Sequence, residues 1–122
     1  MRESGENYLE TIYVLGKRKA GVHAVDIAAE LNFSKPSVTK ALGKLKRSGY
    51  IQIDVLNHVI LTETGFQKAK EIYECHQVIA KFWVLHGVSP ETAAKDACRM
   101  EHDISAETLE CIKEYVQSKN VR

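Results

Sequence analysis

The sequence has no apolar stretch that could cross a bilayer, and it has too few cysteines for a disulfide framework. Nowhere in the 122 residues does an apolar run approach the roughly 20 residues that a membrane-spanning helix needs. The opening segment, MRESGENYLE, lacks the apolar centre of a secretory signal. The three cysteines are an odd number, and disulfides are rare in reducing compartments. We therefore expect a globular, cytoplasmic protein with no membrane partner.

Motifs of the common enzyme classes are also missing. The sequence contains no HExxH zinc motif, no glycine-rich phosphate loop and no nucleophile elbow. These absences weigh against hydrolytic and phosphoryl-transfer chemistry. We expect the protein not to be an enzyme.

The net charge is only +1, but the charges are unevenly distributed along the chain. Residues 1–60 hold nine Lys and Arg against six Asp and Glu, whereas the remaining residues hold eight against ten. The segment 35–47 holds five positive residues and no negative one. This asymmetry indicates a surface in the first half of the chain that faces a polyanion.

The order of helix, turn and strand signals in the first half is that of a winged helix-turn-helix. Apolar residues at helical spacing predict one helix over 6–16 and a second, short helix around 25–31. Ser34 is a good N-cap for a third helix, Pro36 fits its first turn, and Gly49 is placed to end it. Two β-rich segments then predict a hairpin, the wing, over 50–53 and 59–61.

The second half of the chain shows only helical patterns. A long helix is predicted from Thr62 to about His86, followed by helices over 91–103 and 106–118, the last capped by Ser105. The fold class is therefore mainly α, with a winged helix-turn-helix domain at 1–62 and a helical domain at 63–122.

The third helix is expected to read double-stranded DNA, because a helix of this kind places its leading end in the major groove. Hydroxyl groups and a helix N-terminus bind phosphate, and lysine reaches phosphate or guanine. The predicted DNA-binding residues are Ser34, Lys35, Pro36, Ser37, Thr39 and Lys40. The structural alternative is a three-helix bundle whose surface is merely basic.

A second constellation lies in the last third of the chain. Cys98, Glu101 and His102 stand at positions i, i+3 and i+4, which share one face of a helix. A thiolate, a carboxylate and an imidazole together suit a divalent transition metal. In the alternative interpretation, Cys98 packs in the core and Glu101 and His102 only end a helix.

Three ligands on one helix need completion from other elements. His76, on the preceding long helix, is one candidate, and Asn7 with Glu10, at i and i+3 on the first helix, are others. The remaining cysteines, Cys75 and Cys111, are expected to pack as small apolar side chains.

Five segments together resemble the diphtheria toxin repressor family of metal-dependent regulators of iron and manganese homeostasis. They are NYLETIY at 7–13, VDIAAEL at 25–31, SKPSVTK at 34–40, LTxTG at 61–65 and ACRMEHDIS at 97–105. The resemblance covers nearly the whole length and corresponds to the short, two-domain branch of the family, which includes manganese regulators. It implies a homodimer that binds a palindromic operator, a C-terminal dimerisation domain, and a divalent metal as co-repressor.

The resemblance also implies a ligand set. Cys98, Glu101 and His102 match primary metal ligands, His76 matches the histidine of the long helix, and Glu10 matches a carboxylate ligand of the manganese branch. Cys98 is the residue of the iron branch, where the manganese branch has glutamate. Asn7 departs from both branches, which have aspartate or methionine at that position. We expect Fe²⁺ or Mn²⁺ as the cofactor, with Co²⁺, Ni²⁺ or Zn²⁺ as further candidates for a thiolate-containing site.

Two other functions remain open from the residues. One is a winged-helix regulator that is independent of metal, in which Cys98 acts as a redox switch or only packs. The other, of a different class, is a metal-dependent hydrolase with Glu101 as general base, which would need an open metal position and a substrate cleft.

Overall fold

Six helices and one two-stranded sheet make up the part of the chain that the computed structural model describes, residues 3–120. The elements, in chain order, are α1 (Glu3–Arg18), α2 (Ala24–Leu31), α3 (Lys35–Arg47), β1 (Ile51–Ile53), β2 (Val59–Leu61), α4 (Glu63–Leu85), α5 (Pro90–Met100) and α6 (Ala106–Asn120). The predicted fold class, mainly α with a winged helix-turn-helix, is confirmed. None of the described helices is both long and apolar enough to pass through a membrane.

Local signals at both ends fix the limits of α3. At its start, the Ser34 side chain accepts a hydrogen bond from the Ser37 N–H (3.3 Å), and Pro36 occupies the first turn. At its end, Gly49 has a φ of +84°, its N–H donates to Lys46 O, and the next N–H, of Tyr50, donates to the Leu45 carbonyl. This pair of bonds is a Schellman motif, in which glycine takes the left-handed conformation. The predicted start and stop signals of α3 are confirmed.

The wing is an antiparallel hairpin in which Ile51 pairs with Leu61 and Ile53 pairs with Val59. Its loop is fixed by the Asp54 carboxylate, which accepts hydrogen bonds from the backbone N–H groups of Leu56 and His58, both at 2.9 Å. The His58 N–H, first among these donors, holds the pKa of the Asp54 carboxyl below its ordinary value of 3.8. The wing loop is therefore a defined turn.

The N-terminal unit, Met1–Lys70, has its own apolar core. Its central side chains come from one face of each element, among them Leu9, Ile27, Val38 and Ile51. The start of α4 packs tightly on the hairpin: a Cβ added at Gly65 would collide with the backbone carbonyl of Tyr50. Glycine is required there because no side chain fits between α4 and that carbonyl.

The C-terminal unit, Glu71–Arg122, has a separate core. Cys75, Ile79 and Ala97 are buried in it, and the Trp83 indole N–H donates to Met100 Sδ at 3.2 Å. Cys75 packs as expected, but the expectation that Cys111 packs is wrong, because Cys111 is exposed on α6.

The predicted end of α5 at residue 103 is also too late. The helix ends at Met100 with Glu101 as its C-cap, and the N–H groups of Asp103 and Ile104 both donate to the Met100 carbonyl in a tight turn. The next helix begins directly after this turn, where Ser105 Oγ accepts the Thr108 N–H at 3.1 Å and caps α6. Along the chain, the boundary between the two compact units lies between residues 70 and 71, within α4. The predicted domain boundary after residue 62 stays a prediction.

Candidate functional site

The predicted DNA-binding residues lie at the exposed leading end of α3. All six, Ser34, Lys35, Pro36, Ser37, Thr39 and Lys40, are exposed, whereas Val38 between them is fully buried. The Ser34 hydroxyl is engaged locally, because it caps α3 and donates to Ser37 Oγ at 2.9 Å. The structure therefore brings these residues together on one surface, with Ser34 acting first as a helix cap.

Positive charge on the N-terminal unit is concentrated on α3, because basic residues at the end of α1 have partners. Arg18 pairs with Glu30 at 3.5 Å, Lys19 pairs with Asp26 at 2.9 Å, and the Lys17 ammonium lies over the Tyr13 ring. Among the described residues, no carboxylate forms an ion pair with the five positive side chains of α3, which are Lys35, Lys40, Lys44, Lys46 and Arg47. Among the described residues of this unit, α3 therefore carries the largest group of basic side chains without an ion pair.

The wing tip is apolar, a feature that sequence reasoning missed. Val55 is 97% exposed and Leu56 is 67% exposed, and the segment 51–62 contains no Lys or Arg. A run of apolar residues next to a hairpin turn was the available signal. The wing therefore offers no lysine or arginine to a phosphate, in contrast to α3.

The predicted metal ligands are divided between the two units. Asn7 and Glu10 lie on α1 of the N-terminal unit. The others belong to the C-terminal unit, with His76 on α4, Cys98 in the last turn of α5, and Glu101 and His102 at the end of that helix.

Glu101 lies between two imidazole rings. Its Oε2 is 3.1 Å from His76 Nδ1, and its Oε1 is 3.4 Å from His102 Nε2. The side chains are enclosed, with exposed fractions of 0% for Glu101, 3% for His102 and 20% for His76. Within the C-terminal unit the structure thus brings together His76, Glu101 and His102.

The Glu101 carboxylate fits a cation better than it fits a helix end. Its Oε1 is buried and has no hydrogen-bond partner among the described residues. Burying a carboxylate oxygen without a donor is costly, and such charges in proteins are usually paired or coordinate metals. Two imidazole nitrogens and a carboxylate form a donor set that suits a divalent transition metal. The residues present therefore fit the metal that the sequence predicted.

Cys98 differs from these three residues in its surroundings. It lies one turn before Glu101 on α5 and is exposed, so the alternative in which it packs in the core is wrong. An exposed thiol in this position is accessible both to a metal ion and to oxidants. Its assignment as a ligand depends on the spacing and on the family resemblance.

Two family models together match nearly the whole chain. The model of the iron dependent repressor N-terminal DNA-binding domain matches residues 1–59. The model of the iron dependent repressor metal-binding and dimerisation domain matches residues 62–121.

Curated relatives are transcriptional regulators. The transcriptional regulator MntR of Escherichia coli O6:H1 is 37% identical over 121 residues, which are 99% of this chain and 78% of the relative. An uncharacterized HTH-type transcriptional regulator of Methanocaldococcus jannaschii is 35% identical over 119 residues, covering 96% of this chain and 95% of that protein.

Solved structures show the same fold. The manganese regulator SloR matches with a TM-score of 0.82 and 25% identity over 93% of this chain, and ScaR with bound Zn²⁺ matches with a TM-score of 0.77 and 27% identity over 93%. This chain spans 53% of the length of each of those two structures.

Proposed function

We propose that this chain, which belongs to the iron-dependent repressor family, is a divalent-metal-activated transcriptional repressor of metal-homeostasis genes. It would bind palindromic operator DNA as a homodimer in the cytoplasm, through the exposed basic end of α3. The observation that carries the proposal is the buried Glu101 carboxylate, whose Oε1 has no donor while two imidazoles flank it. Such an arrangement is stabilised when a cation is bound and destabilising otherwise.

The proposed ligands are Glu101, His102 and His76, with Cys98 as the thiolate. The family resemblance adds Glu10 and Asn7 of α1, and we include them as proposed ligands on that ground. Bound metal would supply a positive charge beside the buried carboxylate. His76 and His102 would hold it through ring nitrogens, and the enclosure of their side chains would exclude water.

Fe²⁺ and Mn²⁺ are the proposed cofactors, in agreement with the family model and with the manganese regulator among the matched structures. The thiolate of Cys98 shifts the expected preference towards Fe²⁺, Co²⁺, Ni²⁺ or Zn²⁺ relative to an all-oxygen and nitrogen site. Binding of Zn²⁺ by a related protein, ScaR, supports a site that accepts more than one metal.

Regulation without catalysis is favoured over the hydrolase alternative. The matched curated relatives are named as transcriptional regulators. The buried position of Glu101, fully enclosed between His76 and His102, also leaves it poorly placed as a general base for an external substrate.

The test is a titration of DNA binding with metals. Operator duplexes are first selected from a random-sequence library by the purified protein with Mn(II) or Fe(II). Fluorescence anisotropy then measures affinity with Fe(II), Mn(II), Co(II), Zn(II) or a chelator, for the wild type and for Cys98→Ala and His102→Ala. Cys111→Ala is the matched control, because Cys111 is an exposed thiol of the same unit.

We expect metal to raise the affinity of the wild type and of the Cys111 variant at least tenfold, and the two site variants to lose most of this response. An unchanged metal response in both site variants would refute the ligand assignment. Binding that is indifferent to chelator would support the metal-independent regulator instead. Substrate turnover without DNA affinity would support the hydrolase.

A further inference from the structure

A groove of about 970 Å³ runs along one side of α3 in the N-terminal unit. It is bounded by the beginning of α1, the turn between α2 and α3, and α3 itself. Side chains that define it include Tyr8, Phe33, Ser37, Lys40, Lys44 and Tyr50.

The charge of the groove matches a polyanion. The described residues that line it include Lys40 and Lys44 and no Asp or Glu. Hydroxyl groups of Ser34, Ser37 and Ser48 lie along the same wall. Lysines and hydroxyls are the groups that commonly contact DNA phosphates, whereas a pocket for a cationic ligand would require acidic side chains.

Phe33 is the exposed apolar group of this groove. Phe33 is 50% exposed, although a phenyl ring is among the costliest groups to leave in water. The ring is held from behind by Tyr8, with ring centroids 6.0 Å apart, and Tyr8 is itself only 5% exposed. The ring therefore has a fixed support and one open face.

The backbone also fixes Phe33. Asn32, before it, has the left-handed conformation with a φ of 57°, and the Phe33 N–H donates to the Ala28 carbonyl at 3.1 Å. Ser34, after it, is the N-cap of α3. Phe33 is thus presented by a rigid turn directly at the leading end of the recognition helix, which is the end that meets base edges.

We propose that this groove receives the edge of one DNA strand of the operator. In this arrangement, Phe33 is a specificity residue that contacts the C5-methyl group of a thymine. Thymine methyls are the apolar groups of the major groove, and phenylalanine is one of the side chains that contact them. Lys40 and Lys44 bind the phosphates that flank this base. The proposal rests on the proposed DNA-binding function and adds a base preference to it. In the simpler interpretation, Phe33 precedes the N-cap and packs only against its own helix as a hydrophobic staple.

Replacing thymine by deoxyuridine, one position at a time, tests the contact without altering the protein. In the selected operator, we expect one position in each half-site at which the substitution weakens wild-type binding about fourfold, the factor for burying one methyl-sized group. Phe33→Ala and Phe33→Gln are expected to bind thymine and deoxyuridine equally at that position. Val25→Ala is the matched control, because Val25 is an apolar residue of α2 that is 62% exposed and does not line the groove. Circular dichroism verifies that each variant is folded.

Three results would overturn the inference. The first is a wild-type scan in which no thymine in the operator responds to deoxyuridine. The second is a response that persists unchanged in a folded Phe33→Ala or Phe33→Gln variant, which would assign the methyl contact to another residue. The third is a wild type that shows no metal-dependent DNA binding at all. This third result refutes the proposed function together with the inference, whereas the first two results leave the proposed function intact.

Discussion

The variant Glu101→Gln distinguishes two roles of Glu101, that of a metal ligand and that of a helix cap. The two roles predict opposite effects of the substitution on the free energy of unfolding. In the metal-free protein, the buried Oε1 lacks a donor, and leaving such an oxygen unsatisfied costs about 1–3 kcal/mol. A neutral amide of the same shape is cheaper to bury and brings its own donor. We therefore expect the free energy of unfolding of Glu101→Gln in EDTA to be equal to that of the wild type or higher by about that amount.

The same substitution should abolish stabilisation by metal. For the wild type, a free metal concentration of one hundred times Kd adds about 2.7 kcal/mol, which corresponds to a rise in Tm of roughly 10 °C for a chain of this length. Glu101→Gln should show little of this rise.

Thermal melts followed by circular dichroism, with EDTA and with Mn(II) or Co(II), measure both effects. Glu110→Gln is the control, since Glu110 is an exposed carboxylate of the same unit and should change neither value. A Glu101→Gln variant that is less stable in EDTA and still gains the full shift with metal would refute the reasoning and leave Glu101 as a structural group.

Three further predictions concern the N-terminal unit. Lys40→Ala should weaken binding to all duplexes and lower the slope of log K against log salt by about 1, as measured by anisotropy, whereas Lys113→Ala on α6 should not. Gly65→Ala should destabilise the fold by about 1–3 kcal/mol in urea titrations, because its Cβ would meet a backbone carbonyl, while Gly16→Ala, where a Cβ meets nothing within 4 Å, should be neutral or stabilising. The lowered pKa of the Asp54 carboxyl means that its stabilisation is complete above pH 3.8 and is lost as the pH falls through the lower folded value. Asp54→Asn should therefore be less stable at neutral pH and should flatten the acid decline of stability.

The winged helix-turn-helix could be predicted because its limits are set by residues close in sequence. Ser34 accepts a bond from a residue three positions away, and the turn at Gly49 is closed by bonds to carbonyls three and five positions earlier. Apolar spacing then identifies the buried face of α3, in which Val38 and Leu42 are central. These signals join residues that are only a few positions apart, so a short stretch of sequence contains all the residues that determine them.

The features that were missed depend on packing and on loop hydrogen bonds that the pattern of residue types does not reveal. Helix α5 ends at Met100, three residues before the predicted end, where Trp83 of α4 donates its indole N–H to the Met100 sulfur. Cys111 is exposed although its residue type favours burial, because the buried face of α6 is formed by Ile112 and Val116. The apolar wing tip is exposed because its loop is held by Asp54 hydrogen bonds and not by packing.

The predicted metal ligands of the C-terminal unit depend both on local spacing and on a contact between residues that are distant in sequence. The spacing of Cys98, Glu101 and His102 predicted three donors on one helical face, which depends only on local geometry. How far each donor side chain is buried differs with its position relative to the end of α5, which comes before the predicted end. Glu101 and His102 lie past the last turn and are enclosed, whereas Cys98 is still within the helix and is exposed. The bond between Glu101 Oε2 and His76 Nδ1 spans 25 positions and could not be read from the spacing. Since the enclosed donors are a carboxylate and imidazoles, they would determine whether a divalent metal binds, and the exposed thiolate would determine which metal is preferred.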